Sequence, residues 1–145
     1  MPYSTDQDIA AIRPNILEFG VTDWTAMHVK AAEKINRTLI RRWYKTAAQE
    51  YSLDWRDNEF SSELIDANQV KDLSSYKALE LIYLYLMKDS PEADGFEREM
   101  KIFRDLYNQE LEEVLATGVN YDWDGSGAIV DTEKYHHVPR RLVRV

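Results

Sequence analysis

The residues best suited to chemistry lie near the C-terminal end, in the stretch DWDGSGAIVDTE from Asp122 to Glu133. Laid along a twelve-residue EF-hand loop, Asp122 stands at position 1, Asp124 at 3, Ser126 at 5, the Ala128 carbonyl at 7 and Glu133 at 12. Every one of these positions supplies an oxygen donor, as a hard cation such as Ca²⁺ requires. Gly127 falls at the sharp turn, where φ is positive and glycine carries no steric cost. A match of this length is specific as a loop pattern. Its surroundings fit less well. Gly118 interrupts the entering helix, Pro139 lies in the exit segment, and the chain has no second loop of this kind. Two readings stay open. One is a lone, weak calcium site at residues 122–133 that stiffens the chain. The other is an Asx and glycine turn whose acidic side chains cap neighbouring N–H groups. No cofactor is expected to be required.

Other reactive constellations are missing from the sequence. With no cysteine there is no disulfide, thiolate metal site or cysteine nucleophile. His28 sits in a helical stretch and reads as a packed or surface residue rather than a base. His136 and His137 are adjacent, not spaced by four to place two imidazoles on one metal. There is no GxSxG, no phosphate-cradling glycine loop and no HExxH. Carboxylate pairs such as Glu112 and Glu113 fit solvated helix faces. No catalytic residue is assigned, and an enzyme is not expected.

Charge divides the chain. The net charge is −8, and all 26 acidic residues lie at or before Glu133. The last twelve residues carry Lys134, Arg140, Arg141 and Arg144, which leaves 14 basic residues against 26 acidic ones before them. So acidic a body is a poor general binder of nucleic acid, because phosphate contact depends on Lys and Arg. The basic end suits an acidic partner or a phosphate, or is simply a solvated terminus. No apolar run approaches the roughly 18 residues of a membrane span. MPYSTDQDIA lacks the features of a signal peptide. A soluble protein made in the cytoplasm is expected.

The elements that must position these residues are helical. Ser4 or Thr5 can cap a short first helix ended by Pro14, followed by a connector to Gly20. A second helix is expected from Asp23 to about Tyr51, with Trp24, Met27, Ala31, Ile35, Leu39 and Trp43 on one face. Its other face carries Lys30, Glu33, Lys34, Arg37, Arg41 and Lys45. Residues 52–65 read as a loop pinned by Trp55, Phe60, Leu64 and Ile65. A third helix begins at Asp66, with Gln69 reaching back in a capping box. Its LELIYLYLM segment is apolar nearly all round, which predicts burial on most sides, in the core or under a neighbouring subunit. Ser90-Pro91-Glu92 starts a fourth helix whose stripe is Phe96, Met100, Phe103, Tyr107, Leu111 and Val114. Gly118 supplies its left-handed cap. The expected fold is all-α: an antiparallel bundle of about four helices over residues 1–118, then an extended C-terminal arm over 119–145.

Three stretches carry a resemblance. They are DWTAMHVKAAEKINRTLIRRWY, DANQVKDLSSYKALELIYLYL, and the ending YDWDGSG…E with RRLVRV. Together they resemble the head-to-tail adaptor (connector, or head-completion) proteins of tailed bacteriophages. The likeness covers most of residues 20–145 and rests on pattern and order. It implies a structural virion protein: a homo-oligomeric ring, commonly a dodecamer, in the neck under the portal protein. Such a ring extends the DNA channel and offers neck and tail-completion proteins a platform. DNA passes through it without sequence-specific binding and no membrane is involved. The resemblance also implies that the C-terminal arm docks on the portal. Within that arm Tyr121, Trp123, Tyr135 and Val138 would be the apolar contacts, and Arg140, Arg141 and Arg144 the charged ones. An acidic body around a channel would let DNA slide rather than stick. Two other classes compete: a calcium-binding interaction protein of EF-hand type, and a small acidic regulator that grips a partner with its basic tail.

Overall fold

The computed structural model describes residues 2–19, 21, 23–88 and 93–129. It is an all-α antiparallel bundle. In chain order it has α1 (Asp6–Ile12), a 3₁₀ turn (Pro14–Glu18), α2 (Thr25–Leu39), a π turn (Ile40–Tyr44), α3 (Lys45–Glu50), α4 (Ala67–Leu86) and α5 (Ala93–Thr117). The segments α2, π turn and α3 follow one another without a break, so they act as a single long helix. The Ser90-Pro91-Glu92 start signal lies outside the described residues.

Local chemistry explains the boundaries. Thr5 caps α1 with a full capping box: its Oγ1 accepts from Asp8 N–H and the Asp8 carboxylate accepts from Thr5 N–H. The expected cap of α2 is shared by two acids. Asp23 Oδ1 accepts from Thr25 N–H at 3.1 Å, and the Asp6 carboxylate, from α1, accepts from Trp24 N–H at 3.3 Å. The π turn widens one turn of the long helix and re-phases its buried face. Upstream, Ala31, Ile35 and Leu39 point inward. Downstream, the adjacent pair Trp43 and Tyr44 is buried, then Ala47 and Ala48. The end of α3 is a Schellman motif, with Leu53 N–H on Ala48 C=O at 2.8 Å and Ser52 N–H on Gln49 C=O at 3.1 Å. Ser52 fills its left-handed position, φ 61°.

The helix α4 is the axle of the molecule. It packs on α1, α2 and α5, and Ser74, Ser75 and Glu80 are buried beside its apolar residues. Buried Glu80 is held between Lys77 at 2.8 Å and Arg104 at 3.1 Å. Tyr83 packs tilted against Phe96 and stacks on Phe103 while Tyr76 stacks on Phe103, so α4 and α5 run antiparallel. Most of the apolar girth of α4 is therefore covered by its own chain. Near its C-terminal end Leu84 and Tyr85 stay 43% and 49% exposed. All six stripe residues of α5 are buried, as the spacing requires.

Two hydrophobic clusters result. One gathers Ile9, Ile16, Trp24, Leu79, Ile82, Phe96 and Phe103. The other is aromatic, built on Trp43 and Tyr44, and it includes Val119, Tyr121 and Trp123. The expected boundary after Gly118 thus falls inside a packed core. Gly118 does cap α5, with φ 103° and its N–H on Val114 C=O at 3.0 Å. The chain then turns back and pairs with the start of α4 instead of leaving.

Candidate functional site

The turn back is made by residues 118–122 lying along residues 64–69. Asp66 N–H donates to Asn120 C=O at 3.1 Å, and Asp122 N–H to Leu64 C=O at 2.8 Å, around an antiparallel bridge between Ile65 and Tyr121. Gln69 closes the seam from the side. Its Nε2 donates to Gly118 C=O and its Oε1 accepts from Asn120 N–H, both at 2.7 Å. The expected capping box at Asp66 is corrected here. Asp66 does cap α4, accepting from Asn68 N–H at 3.1 Å, but Gln69 clamps the chain that follows α5. Each such hydrogen bond is worth about 1 kcal/mol net, and more is lost if a buried partner is left unpaired.

This seam delivers Tyr121 and Trp123 to the aromatic cluster, where they are 2% and 7% exposed. Trp123 stacks on Tyr44, centroids 5.7 Å apart and planes 1° apart, and on Tyr51 at 5.1 Å. Tyr121 stacks on Phe60 at 5.7 Å, and its hydroxyl accepts from Ser61 N–H at 3.1 Å. Burial, the largest influence, pushes the Tyr121 phenol up to about 12. Both residues were expected as arm contacts for a partner. Their surface is instead spent inside the domain, because residues 64–66 offer a backbone edge that lays this segment over Trp43 and Tyr44. Tyr135, Val138, Arg140, Arg141 and Arg144, expected in the same role, lie outside the described residues.

The acidic loop starts from inside this core. Asp122 is 5% exposed. Its Oδ2 accepts from Gly127 N–H at 2.8 Å, while its Oδ1 is buried with no hydrogen-bond partner. Asp124 Oδ1 accepts from Ser126 N–H at 2.9 Å, and Ser126 Oγ lies 3.0 Å from the Ala128 carbonyl oxygen. Gly125 and Gly127 both have positive φ, 68° and 89°, as the loop pattern asks of Gly127. The Asp124 carboxyl is held below the usual carboxylate range, first by the Ser126 N–H, then by the Ser126 hydroxyl and the neighbouring Asp122 carboxyl. The structure thus brings Asp122, Asp124, Ser126 and Ala128 into one loop. Glu133 lies outside the described residues. Among the described residues no group of three or more His, Cys, Asp or Glu side chains is placed to hold a metal ion.

A second constellation escaped the sequence reading. His28 is 2% exposed, with Nδ1 at 2.7 Å from Ser4 Oγ and Nε2 at 3.0 Å from Asp6 Oδ1. Ser4 Oγ continues to Ser74 Oγ at 2.8 Å. The order Ser–His–Asp is that of an acyl-transfer triad, but its exposure is inverted. Ser4 is only 3% exposed and is occupied by Ser74 and His28, whereas the Asp6 side chain is 28% exposed. A nucleophile must reach its substrate. This arrangement ties the N-terminal segment to α2 and α4. Only a helix cap at Ser4 or Thr5 was legible beforehand, since the pairing spans 24 and 70 residues.

The outer surfaces carry charge of both signs. Lys30, Lys34, Arg37, Arg41 and Lys45 are exposed along one line of α2 and α3. Arg37 approaches Glu33 at 3.9 Å, and Lys45 lies over the Trp55 ring at 4.4 Å. In the seam between α4 and α5, Asp72, Glu110 and Glu113 face one another. The Glu110 carboxyl is pushed up by burial first, then by Glu113 and Asp72. No helix among the described residues is long and apolar enough to cross a membrane. Comparisons with protein-family models, with curated proteins and with solved structures gave no match to this chain.

Proposed function

We propose that the chain is a structural assembly protein, a subunit of the head-to-tail adaptor ring in the neck of a tailed bacteriophage. The observation that carries this reading is the pair of unlike charged faces on one small body. A closed ring of identical chains needs a heterologous interface, in which one face of a subunit matches a different face of the next. The lysine and arginine line on α2 and α3 and the mutually repelling acids Asp72, Glu110 and Glu113 provide such a pair. Exposed Leu84 and Tyr85 add apolar contact area. The predominantly acidic remainder suits a channel through which DNA slides. Docking on the portal falls to the chain beyond residue 129, with Tyr135, Val138, Arg140, Arg141 and Arg144 as contacts. Tyr121 and Trp123 leave this list because they hold the core together.

The burial of Val119 to Trp123 also decides where the test must cut. Removing residues 130–145 should preserve the helical circular-dichroism spectrum and the melting temperature, and abolish attachment to portal-bearing capsids. A chain ending at Ile129 that still completes capsids would overturn the docking role.

A further inference from the structure

We infer that residues Asp122–Ala128 form a calcium site, with the Asp122 and Asp124 carboxylates, the Ser126 hydroxyl and the Ala128 carbonyl as protein donors and water completing the shell. The inference does not depend on the adaptor reading. Its decisive observation is one oxygen. Asp122 is 95% removed from solvent, Oδ2 is engaged by Gly127 N–H, and Oδ1 is buried with no partner. An ionised oxygen left unpaired out of water is costly, and buried charges are paired or coordinate metals. No cation from Lys, Arg or His reaches it: among the described residues none of the ion pairs includes Asp122.

The other donors lie on the exposed part of the same loop. Gly127 N–H is bound to one Asp122 oxygen, and the sister oxygen is buried without a hydrogen-bond partner. Ser126 Oγ and the Ala128 carbonyl oxygen stand 3.0 Å apart, a separation compatible with two ligands sharing one ion. All donors are oxygens, two of them anionic. That set suits a hard divalent ion, and the open side of the loop favours Ca²⁺, which accepts irregular shells, over Mg²⁺, which demands an octahedron. Binding would couple the exposed half of the loop to the core, because Trp123 stands between the two carboxylates and stacks on Tyr44 and Tyr51. The ion therefore ties residues 124–128 to the aromatic core.

The test uses the full chain, stripped with chelator and titrated with CaCl₂, MgCl₂ and TbCl₃. Calorimetry should give a Ca²⁺ dissociation constant on the order of 10⁻⁴–10⁻³ M, as for other low-affinity loops, with Mg²⁺ at least tenfold weaker. Tb³⁺ luminescence excited through Trp123 should rise and be quenched by added Ca²⁺. At about 10 mM Ca²⁺ the melting temperature should climb by roughly 3–8 °C. Asp124→Ala, on an exposed side chain, should keep the fold and lose at least tenfold in affinity. Asp122→Asn should abolish the Ca²⁺ response and, in chelator, melt no lower than the parent, because it removes the unpaired charge. No heat, no Tb³⁺ signal and no thermal shift at about 10 mM Ca²⁺ would overturn the site. So would an unchanged response in Asp124→Ala, or a Mg²⁺ affinity equal to that for Ca²⁺. None of these readouts involves capsids, so their failure leaves the adaptor reading standing, and a failed docking assay leaves the calcium site standing.

Discussion

The two ends of the described chain are both fastened to the bundle, by opposite physics. Residues 4–8 are held by polar groups: Ser4, His28, Asp6 and Ser74 form a buried hydrogen-bonded line, and Asp8 meets Lys71 at 3.3 Å, while Tyr3 just before them sits in the aromatic cluster. Residues 119–123 are held by area: Val119, Tyr121 and Trp123 sink into an aromatic cluster, with backbone pairing to residues 64–66 as a guide. Burial of aromatic rings contributes a large stabilisation. A buried polar line contributes little net energy when complete and costs much when broken. The C-terminal fastening should therefore set the stability of the whole domain, and the N-terminal one the position of a single helix.

The largest effect should follow from attacking the aromatic fastening. Trp123→Ala removes a ring packed against Trp43, Tyr44, Tyr51 and Tyr121. A loss of about 3–5 kcal/mol is expected, measured by urea denaturation. A chain ending at Gly118 should lose its cooperative transition, because it leaves Gln69, Trp43 and Tyr44 without their partners. If that truncated chain melts like the parent, the segment after α5 is an appendage and the comparison fails.

How far this contrast could be read from the sequence depends on the range of the interactions. The stripe Phe96 to Val114 was legible because a helix repeats its pattern every three or four residues. The cap at Thr5 was legible for the same local reason. The role of Gln69 was not, since a capping-box residue and a long-range clamp are the same side chain seen at different distances. Tyr44 was missed because a π turn adds a residue to the period and leaves no mark in the pattern. Tyr121 and Trp123 sit among Asp, Asn and Gly, a composition that reads as an exposed arm. Only the pairing with Leu64 to Asp66, more than fifty residues away, buries them. For the acidic loop, spacing named the donors. The partnerless buried oxygen of Asp122 appeared only once the segment was laid on the core.

An intermediate effect is expected from the polar fastening. His28→Ala leaves Ser4 Oγ with Ser74 as its remaining partner and removes the ring nitrogen from Asp6. The cost should be about 1–3 kcal/mol. Ser4→Ala should cost less, and the double variant less than the sum, because both remove the same line. Hydrogen exchange should show the loss concentrated in residues 3–12, with α5 still protected. Loss of protection spread evenly over α5 would mean that the clasp and the core are one cooperative unit.

The smallest effect, and the one that places both ends on a single axis, is alkaline. Burial, ahead of every other influence, pushes the Tyr3 and Tyr121 phenols up to about 12 from 10.0. The sign follows directly. The folded chain holds these protons more tightly than the unfolded chain, so the stabilisation is complete below pH 10 and is lost as pH rises toward about 12. Tyr44, Tyr76, Tyr83 and Tyr107 are raised as well, again first by burial, and deepen the same limb. Replacing either end's phenol with a ring that cannot ionise should flatten the alkaline limb by one proton. Tyr121→Phe keeps the stacking on Phe60 and gives up the bond from Ser61 N–H and the hydroxyl contact with Tyr44, so it should lose about 1–2 kcal/mol at neutral pH. Tyr3→Phe gives up its bond to Asn36 and should behave alike on the alkaline side. What separates them is the neutral-pH unfolding rate. If the aromatic end sets global stability, Tyr121→Phe alone should speed unfolding of α5 by hydrogen exchange. Tyr3 packs in the same cluster as Tyr121, so an equal acceleration from Tyr3→Phe would show that the cluster as a whole, and not the segment after α5 alone, sets the unfolding of α5.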